Sequence, residues 1–89
     1  MKLKSGFVLE EVAGTYLAVA VGERAEELKV LIKLNSTGAF LWNVLAERDV
    51  TESELVDALL SEYEVSRELA EKSVGDFVKA VRGGGLVNG

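Results

Sequence analysis

The chain has 89 residues, of which 48% are hydrophobic and 28% charged, a balance that predicts a single folded domain over residues 1–89 and excludes a disordered chain. It contains no cysteine, histidine or proline, which removes disulfides, thiolate and imidazole metal sites and the commonest general base. The formal charge is −5, and there is neither a run of 18 apolar residues nor a signal-peptide pattern, so the expectation is a cytoplasmic protein drawn to neither membrane nor nucleic acid.

Residues 7–12 (Phe-Val-Leu-Glu-Glu-Val) predict a strand, and Gly14 marks a tight turn after it. Residues 15–21 (Thr-Tyr-Leu-Ala-Val-Ala-Val) predict a second strand, close enough to the first to form a hairpin. Leu17, Val19 and Val21 share one of its faces by period two. A polar loop over 22–27 leads into a third strand over 28–34. There Leu28, Val30, Ile32 and Leu34 make the inward face, while Lys29, Leu31 and Lys33 make a partly solvated one.

Two good N-cap residues, Asn35 and Ser36, open a helix that runs to about Glu47. Ala39, Phe40, Leu41, Trp42, Val44, Leu45 and Ala46 make it apolar on nearly every side, the mark of a buried helix. Trp42 is therefore expected in the interior although it lies off the main stripe. Thr51 and Glu54 form a capping box for a second helix, which runs to about Tyr63 with Leu55, Val56, Leu59 and Leu60 at helical spacing. Its acidic first turn suits the helix dipole. Ser66 caps a third helix over about 67–82, with Ala70, Val74, Phe77, Val78 and Val81 as its core stripe. Gly83, Gly84 and Gly85 terminate it, and Leu86-Val87 is an apolar tail expected to dock on the core. Three strands followed by three helices define an α+β class. The expected architecture is winged-helix-like, an N-terminal three-stranded antiparallel sheet followed by a three-helix unit whose last two helices have helix-turn-helix proportions.

Little here points to catalysis. The triple glycine follows a helix and lacks the Lys and Ser or Thr of a phosphate loop, so it reads as a terminator. The carboxylates Glu52, Glu54 and Asp57 form a solvated, capping face with no histidine beside them. The serines and threonines sit at caps, so no nucleophile pairs with a base. The expectation is a protein that is not an enzyme and needs no cofactor or metal. The third strand is instead the candidate for binding. In a three-stranded meander it is an edge, which its lysines either protect or leave open to a partner strand. On the third helix Leu69, Ser73, Asp76 and Ala80 fall together beside the core stripe, with Lys72 and Lys79 further round. Small residues on that flank permit close approach of another chain.

The segment 34–42, Leu-Asn-Ser-Thr-Gly-Ala-Phe-Leu-Trp, resembles the signature of the PqqD family of peptide-binding domains, the recognition elements for ribosomally made, post-translationally modified peptides. The likeness spans nearly the whole chain. It begins at Phe7, Val8 and Leu9, and continues through Glu54-Leu55-Val56, Leu59-Leu60, Tyr63 and Val65. It ends with Val74, Phe77-Val78 and Gly85-Leu86-Val87. One position departs: the family often has an acid just before the helix-three valine, where this chain has Ser73, with Asp76 one turn on. The resemblance implies a non-catalytic module that binds the leader of a precursor peptide as a strand added to the third strand. The leader's side chains then enter the groove toward helix three, and the domain presents it to a radical S-adenosylmethionine enzyme or a leader peptidase. The residues so implicated are Leu28, Lys29, Val30, Leu31, Ile32 and Lys33 on the strand, with Leu69, Lys72, Ser73, Asp76, Lys79 and Ala80 on the helix. Two other readings remain. A DNA-binding winged helix needs a basic recognition helix, but the second helix is acidic and the third is mixed in charge. A structural or homodimerisation module would use the same sheet edge.

Overall fold

The computed structural model describes residues 1–23, 25 and 31–88. Its elements are β1 (Lys2–Leu3), β2 (Phe7–Val12), β3 (Thr15–Ala20), β4 (Leu31–Leu34), α1 (Ser36–Glu47), α2 (Glu52–Glu62), α3 (Arg67–Gly83) and β5 (Val87–Asn88). β2, β3 and β4 form an antiparallel sheet in that order. The expected α+β arrangement of three strands and three helices is therefore present. Of the expected third strand, residues 31–34 are observed; Leu28, Lys29 and Val30 lie outside the described residues.

β2 and β3 are joined by a two-residue loop, since Val12 pairs with Thr15. Both loop residues, Ala13 (φ 51°) and Gly14 (φ 79°), are left-handed. This is the pattern of a type I′ turn, whose twist matches that of the flanking strands.

Period two holds in β3, but Leu17 and Val19 lie on the side away from the core. Ala18 is fully buried and Tyr16 packs on the core, whereas Leu17 and Val19 point to the other face and Val21 is 40% exposed. Cross-strand partners share a face, so Phe7, Leu9, Tyr16, Ala18, Ile32 and Leu34 form the inner surface. Alternation reports parity and not direction. Here the inward position at the middle of the central strand is held by Ala18, a small side chain with no exposed surface.

Each helix starts on the cap its sequence provides. The Gly38 amide donates to Asn35 Oδ1 at 2.8 Å. The Glu54 amide donates to Thr51 Oγ1 at 3.1 Å and the Thr51 amide to Glu54 Oε1 at 3.0 Å. The Leu69 amide donates to Ser66 Oγ at 3.1 Å. These bonds satisfy amides that a first helical turn leaves without partners. α1 is the central helix: Leu41, Trp42 and Leu45 are buried, Trp42 to 3% exposure. Phe40, on its flank, meets Tyr63 edge to face with ring centroids 5.6 Å apart. Val74, Phe77, Val78 and Val81 of α3 and Leu55 and Leu59 of α2 complete the core.

α3 ends in a Schellman motif: the Leu86 amide donates to the Val81 carbonyl, the Gly85 amide donates to the Arg82 carbonyl, and Gly85 takes φ +73°. The left-handed residue is thus the last of the three glycines. Leu86 and Val87 return to the core as expected, but they do so as part of a pairing absent from the sequence reading, with Leu3 opposite Val87 and Lys2 opposite Asn88. The Val50 amide donates to the Met1 carbonyl at 2.8 Å, and the Met1 ammonium lies 2.6 Å from Asp49 Oδ1. That hydrogen bond and the charge of the ammonium hold the Asp49 carboxyl below its usual range.

Candidate functional site

Among the described residues β4 pairs only with β3, and its other side is an edge of the sheet they form. Beside it lies a cleft of about 220 Å³ lined by Lys33, Leu34, Asn35, Thr37 and Gly38 on one wall and Ser73, Asp76, Phe77 and Ala80 on the other. The chain builds this cleft at one corner. β4 ends at Leu34, Asn35 turns and caps, and α1 begins. Gly38 makes the corner tight: a Cβ there would stand 3.2 Å from both Leu34 Cβ and Leu34 Cδ2 and 3.3 Å from the capping oxygen of Asn35. The Asn-Ser-Thr-Gly stretch is thus a device that packs the first turn of α1 against the end of the edge strand.

The opposite wall is the flank of α3. Ser73, Asp76 and Ala80 recur at helical spacing and face the cleft, with buried Phe77 beside them. Their small size leaves the space open. Asp76 is tied to Lys72 by an i,i+4 ion pair of 3.5 Å, both side chains largely exposed. In water such a pair is worth little stability, so either partner is free to exchange it for a ligand charge.

The structure brings together Lys33, Ser73, Asp76 and Ala80 of the residues implicated from sequence. Ile32 lies on the same strand and packs inward on the core, and Leu31 is paired with Val19. Leu69 is one turn beyond Ser73 and 51% exposed. It does not line the cleft, and neither do Lys72 or Lys79. Their wheel positions suggest a shared face, but the cleft closes against the C-terminal half of α3. Leu34, Asn35, Thr37, Gly38 and Phe77 line it as well. Sequence reasoning assigned these five to core, cap and motif. Their signal was the Asn-Ser-Thr-Gly spacing itself, since a cap and a glycine placed together specify a close approach.

Among the described residues no group of three or more His, Cys, Asp or Glu side chains could hold a metal ion. No helix among them is long and apolar enough to cross a membrane. Two of the basic groups of α3 stand beside carboxylates. Arg67 lies 3.7 Å from Asp57 and Lys72 pairs with Asp76.

A sheet edge, a helix-walled cleft along it and a winged-helix-like α+β frame together define a small binding module. The chain belongs to the PqqD family, described as coenzyme PQQ synthesis protein D, whose pattern matches residues 8–87. Among solved structures it is similar to TbiB1 in complex with the TbiA(beta) leader peptide. The TM-score is 0.72 and the identity 25%, over 100% of this chain and 96% of that one. No curated protein matches the sequence.

Proposed function

We propose that this chain is a non-catalytic recognition module that binds the leader segment of a ribosomally made precursor peptide. The leader adds as a strand along residues 28–33, of which β4 supplies 31–33. Its side chains enter the cleft between the first turn of α1 and Ser73, Asp76 and Ala80 of α3. Main-chain hydrogen bonds supply much of the affinity and the cleft supplies selectivity. The observation that carries this reading is the position of the cleft alongside the β4 edge, so that one extended chain can use both. Membership of the PqqD family and the similarity to a structure holding a leader peptide support it. The bound peptide is then presented, in the cytoplasm, to a modifying enzyme, a radical S-adenosylmethionine enzyme or a leader peptidase.

The test is a titration of isotopically labelled protein with a synthetic leader taken from a precursor gene beside this one. Amide shifts should concentrate on residues 31–38 and on 73–80. Ser73→Trp or Ala80→Trp should abolish them without altering the circular dichroism spectrum. Shifts confined to the acidic exposed side of α2 would place binding elsewhere. Lys33 on the cleft wall predicts that an acidic leader binds more weakly as salt rises, because exposed charges are screened over about 10 Å at 0.1 M.

A further inference from the structure

The outer face of the sheet meets the cleft only at Lys33, and it is largely apolar. Val8 is 39% and Val12 55% exposed, and Leu17 and Val19 of the central strand are half-covered. The register orders this face into rows. Leu17 pairs with Glu10 on one side and Lys33 on the other, and Val19 pairs with Val8 and Leu31. One row therefore reads acid, leucine, base across the three strands. The acid stands on the β2 edge and the base on the β4 edge, and both are exposed.

We propose that this face packs on the same face of a second copy of the chain, about a two-fold axis parallel to β3 that passes over Leu17 and Val19. Such a rotation swaps the two edges of the facing sheet and keeps the rows level. Glu10 of each copy then meets Lys33 of the other, twice by symmetry, with Leu17 on Leu17 and Val19 on Val19. A two-fold running along the row would instead set Glu10 against Glu10 and Lys33 against Lys33. The charges thus select one isologous arrangement. Facing sheets lie about 10 Å apart, within reach of paired Glu and Lys side chains.

Two strands of six residues and one of four, about 4.8 Å apart and rising about 3.3 Å per residue, present roughly 250 Å² of sheet. That is a small contact, so the dimer is of the weak, concentration-dependent kind. Lys33, on the edge strand, borders both this face and the cleft. Face-to-face packing leaves the β4 edge itself open, so each dimer would carry two peptide sites. The inference does not rest on leader binding, and its test reads mass alone.

Sedimentation equilibrium of the unliganded protein from about 10 µM to about 1 mM should show mass rising from monomer toward dimer. Glu10→Lys or Lys33→Glu alone places like charges opposite one another twice and should raise the dimer dissociation constant at least tenfold (roughly). The double variant Glu10→Lys/Lys33→Glu should return to within about threefold of wild type. An equimolar mixture of the two single variants should also dimerise, as a heterodimer, because each supplies the charge the other lost. Circular dichroism of each single variant before mixing checks that it is folded. A wild type that stays monomeric at the top concentration would overturn the proposal, as would a dimer indifferent to both single changes. Loss of the dimer in the single variants that neither the double variant nor the mixture restores would overturn it too. Association of the monomer solely with a maturation enzyme through this face would assign the surface to that partner.

Discussion

Two corners of the molecule depend on glycine for opposite reasons. At the β4–α1 corner Gly38 does not have positive φ; what matters is space, since a Cβ would press on Leu34 and on the capping oxygen of Asn35 at 3.2–3.3 Å. At the exit from α3, Gly85 has room around it, with nothing within 4 Å of an added Cβ, but its φ is +73°. One corner excludes volume and the other excludes an L side chain's preferred backbone. The difference has a functional edge. The crowded corner forms one wall of the cleft, whereas the roomy one only turns the chain back toward β1.

The largest effect should come from undoing what the crowded corner anchors. Trp42 lies one turn after Gly38 on α1 and is 3% exposed, so Trp42→Ala should cost about 3–5 kcal/mol by urea denaturation. Wild-type-like stability of that variant would mean that α1 is not the central helix.

Next come the corners themselves. Gly38→Ala should cost about 1–3 kcal/mol through overpacking, and Gly38→Asn should be no better, because its larger side chain meets the same Leu34 atoms. Gly85→Ala should cost about 1–2 kcal/mol through the left-handed backbone. Gly85→Asn should recover part of that loss, since asparagine tolerates this conformation. The contrast collapses if asparagine rescues at 38 or fails to improve on alanine at 85. Only the Gly38 variants should also weaken leader binding, measured by calorimetry on protein shown to be folded.

These corners also indicate what a sequence can disclose. Asn35, Thr51, Glu54 and Ser66 cap where local pattern says they should, because a cap is a contact between residues three apart. The burial of Trp42 followed from a helix with no polar side. The pairing of Lys2–Leu3 with Val87–Asn88 left no such trace. Two-residue strands have no period, and their partners lie at opposite ends of the chain. In β3 the alternation was legible but its direction was not, because the small Ala18 and not the bulkier Leu17 faces the helices. At the site, the Ser73-Asp76-Ala80 flank was legible from helical spacing. Leu69, Lys72 and Lys79 share that helix but stand off the cleft, since its extent depends on where β4 and α1 meet α3.

The smallest effect is expected at a third corner, a left-handed position held by a residue other than glycine. Ala13 has φ 51° in the β2–β3 turn, directly before Gly14. It is exposed, so its side chain supplies little packing to offset the strain of a left-handed alanine. A type I′ turn favours asparagine followed by glycine, because asparagine reaches positive φ more readily. Ala13→Asn should therefore stabilise the protein by about 0.5–1 kcal/mol, which for a domain of this size raises Tm by about 2–8 °C. Ala13→Gly removes the strain as well, but it loosens the unfolded chain by a comparable amount, about 0.4–1 kcal/mol, and should be nearly neutral. The order asparagine, then glycine and alanine together, is what a backbone-limited corner with open space requires. If both substitutions destabilise, Ala13 makes a packing contribution, and this turn belongs with the Gly38 corner, where the side chain's volume and not its backbone sets the outcome.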